Sequence, residues 1–294
     1  MKIPDFKAKF SSMRQRVDRA RGDVEARVAK ALGHFGVPEV IDGLRRIGVR
    51  RDDTLMVHVG FDPRHGFSGT PMDLSKALCD AVGPAGTIVM MTMPYPGEGS
   101  RAWLATGETF DARRSVSRMG VVTEVFRRSP DVRRSVHPTH PVAAWGALRD
   151  RFTADTDDPA PFGPKSPFGT LVEVGGKVLL FDVPFRRMSF QHYLEHHIQH
   201  VLPVPLYRPP VEVEVIDHDR ARRLMRVRAL TDEIDRRRST PTLERALRRD
   251  QVLREGRLSL ATLTLADTRA MVLSVDERVA RGWRFHRGWE LPGR

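Results

Sequence analysis

TLMVHV (54–59), PMDLSKALCDAV (71–82) and TIVMMT (87–92) decide how this chain folds. The outer two are short runs of apolar and β-branched side chains without alternation, the pattern of strands covered on both faces. The middle run has helical spacing. Pro71 stands near its start, where a missing N–H costs little, and Gly83 and Pro84 stop it. Gly86 then turns the chain into the second strand. Strand, helix, strand in this order predicts an α/β fold with a central sheet flanked by helices.

Toward the N-terminus, residues 6–32 are charged with scattered apolar positions. Val24, Val28 and Leu32 recur at helical spacing, which predicts an amphipathic helix laid on the body. Pro38 opens a second helix running to Ile47. Residues 60–69 and the Gly- and Pro-rich residues 94–107 read as loops. Further on, a helix is expected over 120–128 and a strand over 142–145. Residues 155–169 read as an ordered loop and 171–173 as a short apolar piece. A strand is expected over KVLLFDV (177–183) and a helix over 189–200. After Pro203 the texture changes to α+β: a hairpin of 211–216 with 223–230, an Arg-rich helix over 243–253, alternation over 258–265 and a closing helix over 268–281. This gives an N-terminal helical extension (1–40) and a single domain (41–294), with 203–294 a candidate subdomain.

Composition bounds the function. The chain has 294 residues, 40% of them apolar, and a formal charge of +12. That length supports a substantial core without staples. A single cysteine, Cys79, excludes a disulfide framework or a multi-cysteine metal site, fits a reducing, cytoplasmic compartment, and lies in an apolar helix where a thiolate would be costly. No apolar run is long enough to span a membrane, and no secretory apolar core follows Met1. The charge favours polyanionic partners, nucleic acid among them.

No Walker A loop, dinucleotide glycine fingerprint or Gly-x-Ser-x-Gly elbow is present. Histidine is the informative residue, with His58, His137 and His140, and then His192, His196, His197 and His200. His192 and His196 have the i,i+4 spacing of zinc ligands but lack the usual Glu next to the first, and no metal is expected. His137 precedes Pro138 in a turn. A neutral imidazole there can take a proton from an attacking amine if a carboxylate orients it. Asp182, Glu195 and Glu124 are the candidate partners.

Several stretches are jointly recognisable: LRRIGVRRDDTLMVH (44–58), AVGPAGT (81–87), MGVVTEVFRRSPDVRRSVHP (119–138), AAWG (143–146), FGPKSPF (162–168) and GKVLL (176–180). In this order they resemble the aminoglycoside 3-N-acetyltransferase, or antibiotic N-acetyltransferase, family over most of the chain beyond about residue 40. The resemblance implies that family's α/β fold and transfer of an acyl group, usually acetyl from acetyl-coenzyme A, to an amine, in antibiotic modification or natural-product biosynthesis. It aligns His137 with the family's catalytic histidine, and His192 with Glu195 as its His-x-x-Glu. It places the donor, acetyl-CoA or another acyl-CoA, near His58, Val59, Gly60, Phe61, Arg118, Met119 and Gly120.

The chain departs from the family where small hydroxyl residues usually follow the strand histidine; here they are Val59 and Gly60. Pro141 and the Phe181-Asp182 pair are further departures. A polycationic aminoglycoside is an odd partner for a chain of charge +12, although Asp155, Asp157 and Asp158 form a local acidic patch. A neutral or anionic amine acceptor stays open. So do an acidic acyl carrier protein or an aminoacyl-tRNA as donor, a thioester or amide hydrolase, and a non-catalytic nucleic-acid binder using the Arg222-Arg223, Arg236–Arg238 and Arg248-Arg249 clusters.

Overall fold

The structure, a computed structural model, describes residues 22–25, 27, 28, 31–95 and 99–289. Its main sheet has seven strands in the order β4 (Arg133–Arg134), β5 (Val142–Gly146), β2 (Thr87–Met91), β1 (Thr54–Val59), β6 (Lys177–Phe181), β10 (Ala261–Asp267) and β9 (Leu253–Leu258). β1 lies parallel to both β2 and β6, with Met56 opposite Val89 and Val178. β5 and β10 flank this trio antiparallel, so the sheet is mixed. A second sheet joins β3 (Phe110–Asp111), β7 (Val211–Ile216) and β8 (Arg222–Val227).

Both faces of the central strands are covered, which is why their sequences do not alternate in polarity. Leu55, Val57, Ile88, Met90, Leu179 and Phe181 pack under α1 (Val37–Arg46), α2 (Pro71–Val82) and α4 (Val121–Arg127). The intervening Met56, Val89, Met91, Val178 and Leu180 face the other layer. That layer holds α6 (Pro167–Glu173), α7 (Phe190–His197), α9 (Thr240–Arg249) and α10 (Thr268–Ala280). Fully burying one such side chain stabilises the fold by about 1.5–3 kcal/mol. α2 starts with a reciprocal cap: the Asp73 N–H donates to Oγ1 of Thr70, and the Thr70 N–H donates to Oδ2 of Asp73.

Several readings of the sequence change. The segment 94–107 contains a helix, α3 (Gly99–Thr106), with Trp103 buried and donating its ring N–H to the Pro138 carbonyl. Residues 171–173 end α6, which starts at Pro167 on the Ser166 cap. The Arg-rich helix ends at Arg249 instead of 253, because Gln251, at φ 56°, turns the chain out of α9 and Leu253 starts β9. The described residues also include the short helices α5 (Arg149–Thr153) and α8 (Asp232–Arg237). The expected N-terminal helix lies largely outside the described residues. Val24, Val28 and Leu32 are helical but exposed, so they do not pack on the body as an apolar stripe. Residues beyond 203 contribute β9 and β10 to the main sheet and so share the core of the rest.

Candidate active site

A cleft of about 820 Å³ opens at the C-terminal ends of β1 and β6, where open parallel sheets place their ligand sites. One wall is Val57 to Phe61 together with Arg118 to Thr123. The other comes from the segment entering α7 and from residues of α8. All seven residues expected near the donor, His58, Val59, Gly60, Phe61, Arg118, Met119 and Gly120, line it.

α7 brings a histidine and a carboxylate together. His192 and Glu195 are one helical turn apart, so their side chains stack on one face. Nδ1 of His192 lies 3.0 Å from Oε2 of Glu195. An ionised carboxylate only accepts, so Nδ1 carries the proton and Nε2 presents its lone pair. Glu195 is completely buried and satisfied on every side. Nε and Nη2 of Arg238 donate to its two oxygens at 2.7 and 2.8 Å, and Nε2 of His286 donates to Oε1 at 3.0 Å. Burial alone would raise the Glu195 carboxyl; Arg238, His192 and His286 outweigh it and hold the group well below the carboxylate range. Burial, with the Arg238 charge, pushes His192 below the ordinary imidazole value, while Glu195 pulls the other way. The pair therefore stands as neutral imidazole on carboxylate at neutral pH.

His137 is placed differently. Its Nδ1 accepts from the Thr139 and His140 backbone N–H groups at 3.2 and 3.0 Å, closing the turn around Pro138. It is absent from the main cleft and lines instead a small cavity of about 70 Å³. Burial lowers it to about 4. None of the three candidate carboxylates reaches it. Asp182, just past β6 at φ 54°, pairs with Nδ1 of His65 at 2.7 Å. Glu124 accepts from Arg127, Arg128 and the Ser117 N–H. Glu195 belongs to His192. The structure thus gives His137 no partner among the three candidate carboxylates and pairs Glu195 with His192, while the turn engages Nδ1 of His137 with backbone donors.

Two further histidines face the cleft. His140 packs against the Phe162 ring at 4.7 Å, with Nδ1 3.0 Å from Oγ1 of Thr139 and Nε2 3.5 Å from the Tyr95 hydroxyl. His58, on β1, is lowered to about 4 by burial and by neighbouring His192. Its Nε2 is buried without a partner, an uncompensated polar atom in the wall of an open site. His196 turns away to the Tyr207 hydroxyl at 2.9 Å. Among the described residues no group of three His, Cys, Asp or Glu could hold a metal ion, and no helix is long and apolar enough to cross a membrane. Burial raises Cys79 to about 12, far from a nucleophile.

The basic clusters are largely neutralised in place. Arg222 pairs with Glu214, Arg223 with Asp155, Arg236 and Arg237 with Glu233, and Arg248 with Glu244 and Glu255. Sequence reading does not name His286 or Tyr95, and it lists His140 and Arg238 without connecting them to this cleft. Arg238 was hidden in a run of three arginines, and His286 lies on no periodic element; the contact that gives each its role is long-range.

The fold is thus α/β, with a His–Glu pair at a cleft beside the ends of parallel strands. The chain belongs to the aminoglycoside 3-N-acetyltransferase family, which it matches over residues 56–280. It is 33% identical over 167 residues to aminoglycoside N(3)-acetyltransferase VII of Streptomyces paromomycinus, a match covering 52% of this chain and 57% of that one. The match thus spans little more than half the length of that relative. The crystal structure of aminoglycoside acetyltransferase AAC(3)-IVa, as apoenzyme, superposes with a TM-score of 0.66 at 27% identity, covering 84% of this chain and 89% of that one. AAC-IIIb in its binary complex with CoASH has the same fold, with a TM-score of 0.67 at 24% identity over 84% of this chain and 97% of that one.

Proposed function

We propose that the protein transfers an acyl group from a coenzyme A thioester to an amine, with His192 as general base and Glu195 as its orienting carboxylate. The observation that carries this reading is the 3.0 Å His192–Glu195 contact in the wall of the main cleft. Membership of the acetyltransferase family and the likeness to a CoA-bound relative support it.

The residues divide the work. The Arg118 guanidinium and the open backbone at Gly120 are suited to the anionic, amide-rich donor, and the unpartnered His58 Nε2 offers one more polar contact. The donor supplies the acyl carbon as a thioester. Nε2 of His192 takes a proton from the acceptor amine as its nitrogen bonds to that carbon; the C–S bond breaks, and the imidazolium returns the proton to the departing sulfur. Glu195 stabilises the transient charge on His192 without taking the proton itself, because Arg238 and His286 hold it ionised.

The test is thiol release from acetyl-CoA in the presence of a mixture of amines. His192→Ala is expected to slow amine-dependent release by roughly 10²–10⁴-fold, the usual worth of a general base, with the fold retained by circular dichroism. His137→Gln is expected to stay within a few fold of wild type. Unchanged activity in His192→Ala would overturn the assignment.

A further inference from the structure

The charge on the cleft walls goes beyond what acyl transfer itself requires. Among the described lining residues stand five arginines, Arg101, Arg118, Arg186, Arg187 and Arg238, against one carboxylate, Asp235. Two of the five are compensated: Arg238 by Glu195 and Asp235, and Arg101 by Asp232. Arg118, Arg186 and Arg187 are exposed and have no carboxylate partner among the described residues. Asp235 is itself committed, with Oδ1 2.9 Å from Nη1 of Arg238. An ammonium group entering the cleft therefore meets no unpaired carboxylate on the described walls. The acidic patch lies elsewhere: Asp155 is paired with Arg223, Asp157 with Lys165, and Asp158 accepts from the Ala160 N–H.

The unpaired cations are not spread evenly. Arg118 adjoins Met119 and Gly120 on the wall assigned to the donor. Arg186 and Arg187 sit in a 3-10 turn, Phe185–Arg187, that leads directly into the helix carrying His192. A guanidinium offers a planar fork of donors that fits a carboxylate or a phosphate equally well. A polyamino sugar would instead bring several ammonium groups against this wall, like charge against like.

We propose that the acceptor is an amine that also carries an anionic group, a carboxylate or a phosphate, which Arg186 and Arg187 engage while His192 takes the proton from the amine. This rests on the acyl-transfer reading and specifies its substrate class. Recognition of the anion holds the far end of the acceptor, and the positive wall discriminates against polycations.

The experiment uses the full chain with acetyl-CoA and reads amine-dependent thiol release. The acceptors are β-alanine, O-phosphoethanolamine, ethanolamine and a triamino sugar, all assayed at low salt. The expected result is a kcat/KM at least about tenfold higher for one of the anionic amines than for ethanolamine, and higher still than for the sugar. Whichever of β-alanine and O-phosphoethanolamine is preferred identifies the anion as carboxylate or phosphate. In Arg186→Gln/Arg187→Gln the preference should collapse toward unity through the acceptor KM, with the acetyl-CoA KM unmoved. Preference for the sugar, or equal use of charged and uncharged amines, overturns the proposal while leaving acyl transfer standing. So does a rise in the acetyl-CoA KM alone in the double variant, since the two arginines would then serve the donor. Thiol release from none of the amines above the His192→Ala level overturns both readings.

Discussion

Glu195 and Arg238 meet as a two-pronged pair, Oε1 2.7 Å from Nε and Oε2 2.8 Å from Nη2, with the carboxylate fully withdrawn from solvent. Neither partner is stable there without the other. Glu195→Gln keeps the shape but leaves the Arg238 charge half-compensated, by Asp235 alone. Breaking a buried pair from one side costs about 3–5 kcal/mol, so a clear fall in melting temperature is expected. Arg238→Met should destabilise similarly, and the double variant less than the sum of the two. Additive losses in a double-mutant cycle would mean that the pair is not coupled.

The rate of acyl transfer should fall on the acid side as His192 gains a proton. Burial and Arg238 hold its pKa below the ordinary imidazole value of about 6.5. The acid limb of kcat/KM is therefore expected below pH 6.5. Because Glu195 opposes that shift, Glu195→Gln should move the limb lower still while reducing the maximum. A limb above pH 7 would contradict this environment.

Stability should also depend on pH over a defined window. His58 and His137 are held neutral in the fold, each near 4 against 6.5 in the open chain. Between these values the unfolded state binds more protons than the native one, so stability rises with pH and is lost as pH falls from 6.5 toward 4. Melting temperature measured across that window should drop steadily. His137→Gln should flatten the slope, although it also removes the acceptor that closes its turn. A wild-type profile flat from pH 7 to pH 4 would rule out this origin.

Gly60 follows β1 at the cleft, where the chain departs from the family's small hydroxyl residues. A Cβ at this position would collide with the Asp182 carbonyl oxygen, and the Gly60 N–H donates to the Phe181 carbonyl. The neighbour is backbone and cannot rotate away. Gly60→Ser, which restores a hydroxyl, is therefore expected to lower the melting temperature and reduce thiol release, not to improve donor use. Wild-type stability in this variant would show that the strand ends yield more than their geometry implies.

Local signals carried the fold well because its central strands and α2 announce themselves locally. The twofold-covered strands read as apolar runs, and Pro71, Gly83 and Gly86 punctuate as their backbones require. Residues 94–107 were less legible: Gly97, Gly99 and Pro96 mask a short helix whose anchor, Trp103, is held by a carbonyl 35 residues away. In the site, the His192–Glu195 spacing was visible as one helix face. The surroundings of His137 are not legible in the sequence, because Nδ1 of that ring is engaged by the backbone of the turn following it. The roles of Arg238 and His286 were illegible for the same reason: each meets Glu195 across 43 and 91 residues respectively.

Those separations set an order of assembly. Long-range pairing is late and slow compared with local contacts. A nascent chain that has left the ribosome only as far as Leu230 already contains His192 and Glu195 but neither Arg238 nor His286. On such a chain Glu195 lacks the two partners that compensate its burial in the folded protein. The last quarter of the polypeptide thus completes the surroundings of the His192–Glu195 pair, and a shortened product ending before Arg238 would carry both residues without the partners that fix the carboxylate.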